Sequence, residues 1–138
     1  NADVVIVLPH WGAEYVVTPT WMQYELAQRM IDAGADLVIG NHPHWIQPVE
    51  SFPNNKVVAY ALGNLVMDQE WSVETQQGIL FEATFRGKKL EKWTLLPYRI
   101  HEGYQPRWTS PEESAMILKR MNSAFDLPPL SLRQYSKP

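Results

Sequence analysis

The strongest constraint on the fold is an alternation in the first forty residues. Residues 4–8 (Val-Val-Ile-Val-Leu) form a short, mostly β-branched run between Asp3 and Pro9, the pattern of a strand buried on both faces. Residues 20–33 place Trp21, Tyr24, Leu26, Ala27, Met30 and Ile31 at helical spacing, with Thr18 or Thr20 as a cap and Gly34 as the stop. Residues 36–39 (Asp-Leu-Val-Ile) then give a second buried strand ending at Gly40. Strand, helix and strand at this spacing make a βαβ unit, so the two strands are expected to be parallel in one sheet.

The rest of the chain changes style. A third strand is expected over residues 57–62, after the turn Pro53-Asn54-Asn55 and before Gly63-Asn64. Residues 78–86 alternate, Gly87-Lys88 is a hairpin signal, and residues 90–100 return as the antiparallel partner. On the first of these strands Ile79, Phe81, Ala83 and Phe85 should share a core face, continued on the partner by Trp93, Leu95 and Pro97. A last helix is expected over residues 111–125, with Ser110 as its cap and Pro111 at its first position. The fold class is α/β, a βαβ unit plus an antiparallel hairpin. Residues 1–126 read as domain and residues 127–138 as a proline-rich tail.

Composition excludes more than it selects. The 138 residues carry a formal net charge of −3, which does not suit a nucleic-acid or anionic-membrane surface. The absence of cysteine removes disulfides, thiolate ligands and thiol nucleophiles together. No apolar run approaches the ~20 residues of a spanning helix. The chain opens at Asn1 with strand-like sequence almost at once, so an upstream leader, anchor or larger segment is expected.

Histidine placement is the functional signal. The first strand ends at His10, within "HWGAEY", and the second leads into "NHPHWIQ", with His42 and His44. Ligands of open α/β sheets sit beyond the carboxyl ends of the strands, and the βαβ geometry puts both endings on one edge. Three of the four histidines should therefore converge. Pro43 should hold His42 extended, so that His42 and His44 point the same way, toward one metal or a pair ~3.5–4 Å apart. His101 is expected at the surface, and Trp11 and Trp45 are expected to pack. Glu14 has three readings: a ligand, a group supporting His10 or contacting substrate, or a solvated carboxylate. The second is favoured. In "YALGNLVMDQ", Asn64, Asp68 and Gln69 could face the same edge, although a turn with an exposed loop is the plainer reading.

These three stretches, "HWGAEY", "GADLVIGNHPHWIQPVE" and "YALGNLVMDQ", resemble in this order motifs of the poly-γ-glutamate capsule biosynthesis protein family. That family belongs to the calcineurin-like metallophosphoesterase superfamily, a β-sandwich flanked by helices. The resemblance covers residues 3–69 closely. It implies that His10, His42 and His44 are metal ligands, with His10 and His42 catalytic, and makes Glu14, Asn64 and Asp68 candidates for substrate contact. The implied cofactor is a divalent metal (Mn, Zn or Fe), dinuclear in the complete domain. The implied activity is a metal-dependent, phosphoesterase-type hydrolase acting in synthesis, release or anchoring of the polymer. The competing reading is a non-catalytic cell-envelope module assisting polymer assembly or export. The family's early Gly-Asp, Asn-containing and Asn-Asn-His elements do not occur here, so the chain resembles a C-terminal half. An upstream half or a second chain would complete the site, with poly-γ-glutamate or a phosphoester as ligand. The location implied is the cell envelope or exterior, anchored through an N-terminal segment.

Overall fold

The computed structural model describes residues 2–124, in two sheets and two helices. The first sheet holds β1 (Ile6–Val7), β2 (Leu37–Ile39), β3 (Val49–Phe52) and β4 (Lys56–Ala59) in the order β1-β2-β4-β3. Between β1 and β2 runs α1 (Trp21–Asp32). β1 pairs parallel to β2, with Ile6 opposite Leu37, and β2 pairs parallel to β4, with Leu37 opposite Val57. The expected βαβ unit is present.

Local chemistry sets the ends of α1. Thr20 accepts from the Gln23 backbone N–H while the Gln23 side chain reaches back to the Thr20 N–H, a reciprocal capping box. Past the C-terminal end, Gly34 sits at φ +112°, where a side chain would be strained.

The second sheet holds β5 (Gln77–Arg86), β6 (Lys89–His101) and β7 (Gln105–Trp108), all antiparallel. The hairpin register pairs Ile79 with Pro97, Phe81 with Leu95 and Ala83 with Trp93, the face expected from the alternation. α2 (Pro111–Ser123) follows, with the Ser110 side chain accepting from the Glu113 N–H. Phe125, the expected end of this helix, and the tail 127–138 lie outside the described residues.

Period-2 alternation divides the core between the sheet's two faces. Val38 and Val58 face α1, with Tyr24, Ala27 and Ile31. Their neighbours Leu37 and Val57 face the second sheet, with Leu90, Phe81 and Phe85. Ile117 and Met121 of α2 seat against Ile46 and Ile79.

Two expectations need correction here. The first strand is not buried on both faces, since Ile6 is 49% and Leu8 69% exposed. β1 is an edge strand of its sheet, and the core cluster between the two sheets is built on Leu37 of β2 and Val57 of β4. Only Val7 joins the α1 core. The third strand stops at Ala59 rather than Leu62. Two short strands escaped the sequence reading, β3 and β7. β3 lies between two prolines and pairs with β4 through a turn in which Asn54 and Asn55 take φ +62° and +60°, left-handed positions that asparagine tolerates.

Candidate metal site at the sheet edge

All three parallel strands end at one edge, so each delivers its following loop to one place. After β1 the chain bridges to the loop after β2. The Trp11 N–H donates to the Asn41 carbonyl (3.1 Å) and the Asn41 N–H donates to the Pro9 carbonyl (2.9 Å). Trp11 is buried, and its indole N–H donates to the Tyr60 carbonyl (2.8 Å) just past β4. Gly40 permits this approach, because a Cβ there would overlap both the Tyr60 oxygen and Trp11 Nε1. The expected packing role of Trp11 is therefore also a positioning role for His10.

A buried amide pair supports the first loop from below. Gln23 donates to Gln47 (2.8 Å), and Gln47 donates to the Val16 carbonyl (3.1 Å). Gly12, at φ +89°, rests against the Gln23 amide with no room for a side chain.

The loops bring the three histidine rings together. His10 and His42 centroids lie 4.5 Å apart, and those of His42 and His44 lie 6.2 Å apart. The route differs from the one expected. His42 is not extended but sits at φ +101°, and His44 at φ +60°. Two backbone bonds overrule the preference set by Pro43. The Trp11 N–H holds the Asn41 carbonyl and the Tyr15 N–H holds the Pro43 carbonyl (2.8 Å), clamping the segment on both sides of His42. Tyr15 shares the left-handed conformation at φ +61°. Strain of ~1–3 kcal/mol at each such residue persists only where the surroundings over-determine it, commonly at functional sites.

His44 has a defined tautomer. Its Nδ1 lies 2.8 Å from Asn64 Oδ1. Asn64 Nδ2 donates to the Thr75 backbone carbonyl (3.0 Å) and to Gln69 Oε1 (3.2 Å). A backbone carbonyl only accepts, so the Asn64 amide cannot be turned over. Asn64 therefore offers an oxygen to His44, Nδ1 carries the proton, and the Nε2 lone pair is free to bind a metal. Asn64 is itself buried, and its own carbonyl accepts from the Tyr98 hydroxyl (2.7 Å). Burial pushes the Tyr98 phenol up to about 12.

The Nε2 side of His44 faces Glu14, whose Oε1 is 3.9 Å away. One donor atom each from Glu14, His42 and His44 falls within 4.8 Å of the others. Ligands at ~2.0–2.2 Å from one ion stand ~3–4 Å from each other, so this set fits a single divalent cation after a small closure. Glu14 thus groups with His42 and His44 rather than with His10, which is exposed and stands beside the group. Asn64 supports His44 from behind. Asp68 is exposed, with its Cα and Cβ against Gly103 in the β6–β7 turn, and is not brought to the histidines. Gln69 links Asn64 to the Tyr15 hydroxyl. Tyr15 stacks on His44 at 5.6 Å and meets Trp71 edge-on at 4.7 Å. The sequence reading gave no role to Tyr15 or Thr75. Tyr15 ends the "HWGAEY" stretch, but Thr75 acts through its backbone and leaves no side-chain signature.

The family model for bacterial capsule synthesis protein PGA_cap matches residues 1–69, which contain His10, Glu14, Tyr15, His42, His44, Asn64 and Gln69. The chain belongs to the PGA_cap family. Among PGA_cap relatives, the PGA biosynthesis protein CapA of Bacillus subtilis (strain 168) is 40% identical over 102 residues, 74% of this chain and 26% of that protein. The capsule biosynthesis protein CapA of Bacillus anthracis is 35% identical over 121 residues, 88% of this chain and 29% of that protein. A probable polyglutamine synthesis accessory protein of Mycobacterium tuberculosis is 35% identical over 68 residues, 49% of this chain and 18% of that protein. The chain thus spans less than a third of the length of these PGA_cap relatives.

Proposed function

We propose that this chain carries the histidine-rich half of a divalent-metal site in a hydrolase, of the phosphoesterase type, that serves poly-γ-glutamate capsule synthesis. The observation that carries the reading is the fixed His44 tautomer, which aims Nε2 at the group containing Glu14 and His42. The capsule context rests on the family and on the names of its relatives, and a cell-envelope location follows from that context. Among the described residues no helix is long and apolar enough to cross a membrane.

Glu14, His42 and His44 would hold the ion, which would supply Lewis-acid polarisation and an activated water. His10, exposed and 4.5 Å ring to ring from His42, would give a proton to a leaving oxygen. One carboxylate cannot balance two divalent cations at close range. A dinuclear centre therefore needs acidic ligands from an upstream half or a second chain. The uncovered Val5, Ile6 and Leu8 along β1 are a surface on which that half would pack.

The same single carboxylate favours a second reading, a non-catalytic envelope module with one structural metal. A phosphoester assay with Mn²⁺ or Zn²⁺ separates the two. Turnover that needs both the upstream half and His42 supports the hydrolase. Metal binding with no turnover in the completed domain supports the module.

A further inference from the structure

The amide chain behind His44 has a direction, and the direction reaches Tyr15. Because the Thr75 carbonyl can only accept, Asn64 must turn its NH₂ group toward it. The second proton of that group goes to Gln69, which must offer its oxygen. The other end of the Gln69 side chain is then an NH₂ group, and it donates to the Tyr15 hydroxyl oxygen (3.2 Å). An amide nitrogen has no lone pair to accept with, so the Tyr15 proton is not used in this contact. Among the described residues no acceptor takes it.

The phenol is held in place. Its backbone N–H is tied to Pro43, one ring face lies on His44, and Trp71 abuts its edge. The segments that build the site, residues 10–15, 41–46 and 60–75, contain no lysine and no arginine. The same segments carry Glu14, Asp68, Glu70 and Glu74, so an anionic ligand at this edge needs a bound metal to offset those carboxylates and neutral donors such as this phenol to orient it.

We infer that Tyr15 is a ligand-contacting residue whose hydroxyl donates to an oxyanion, a phosphoryl or carboxylate oxygen, bound beside His44. The inference rests on the reading above that this edge is the ligand site. Hydrogen bonds to charged acceptors are roughly twice as strong as neutral ones, so one phenol donor has a measurable effect on affinity.

The test is calorimetric titration of inorganic phosphate and of acetate into the wild-type protein and Tyr15→Phe, with and without Mn²⁺, alongside thermal melting of both. The expected result is a loss of about tenfold or more in anion affinity, larger than any change in Mn²⁺ affinity, with the melting temperature lowered only slightly by the loss of the Gln69–Tyr15 bond. A larger loss for phosphate assigns a phosphoryl oxygen, and a larger loss for acetate assigns a carboxylate. Equal anion affinity in Tyr15→Phe, or no anion binding by the wild type, overturns the inference. Anion binding that depends on Tyr15 in a protein that takes up no Mn²⁺ would sink the metal reading and leave this one standing.

Discussion

His44 Nδ1 and Asn64 Oδ1 lie 2.8 Å apart, and the Thr75 carbonyl on the far side of the asparagine fixes which of them donates. A backbone atom eleven residues beyond Asn64 thereby sets the protonation geometry of a candidate metal ligand.

The first prediction follows directly. Asn64→Leu keeps the branched shape and removes the amide. Partners that orient a ligating histidine typically contribute 10–100-fold to metal affinity, so Mn²⁺ affinity should fall by about that factor. Stability should fall by about 1–3 kcal/mol, because Thr75 and Gln69 lose buried partners. Titration and chemical denaturation read the two effects separately. Unchanged metal affinity would remove Asn64 from the site.

Gly40→Ala should be unusually costly for a one-carbon change. The added methyl would overlap the Tyr60 carbonyl and the Trp11 indole nitrogen, and backbone shifts of this kind cost about 1–3 kcal/mol. Displacing Trp11 also moves His10, so the ring proton signals of His10 and His42 should shift in NMR. A variant as stable as the wild type would show that the loops are less tightly docked than described.

Leu8→Ser and Val58→Ser contrast the two kinds of strand in the first sheet. Leu8 is 69% exposed, and its replacement should change stability by less than about 0.5 kcal/mol. Val58 is fully buried against α1, and the same change should cost about 2 kcal/mol or more. If an upstream half packs on β1, Leu8→Ser should become destabilising in that longer protein alone.

Tyr98 predicts a pH dependence. Its phenol is raised from 10.0 to about 12 by burial, so above pH 10 the unfolded chain loses a proton that the folded chain keeps. The unfolded state then binds fewer protons, and stability falls with rising pH. The loss should run from pH 10 to about 12 and amount to about 1–3 kcal/mol. In Tyr98→Phe the slope over that window should be smaller. A wild-type curve with no slope there would contradict the burial of the hydroxyl.

What could be read from the sequence was whatever depends on period and on ordering along the chain. The parallel pairing of β1 and β2 follows from strand, helix and strand, and the convergence of His10, His42 and His44 follows from that pairing. The hairpin register was visible because Ile79, Phe81, Ala83 and Phe85 alternate. The exposure of Leu8 was hidden because a β-branched run looks the same whether a second sheet covers it or stops short. The left-handed backbone of His42 and His44 was hidden because it is imposed from Trp11 and Tyr15, some thirty residues away. Grouping Glu14 with His44 rather than with His10 depended on the same clamp.

The most direct test of the central claim is calorimetric titration of Mn²⁺ and Zn²⁺ into the 138-residue chain and its His42→Ala, His44→Ala and Glu14→Gln variants, each checked for folding by circular dichroism. The account predicts one weak site per chain. Either histidine substitution should abolish it, and Glu14→Gln should weaken it by about tenfold. Two tight sites in the isolated chain, or metal binding that survives His44→Ala, would contradict it.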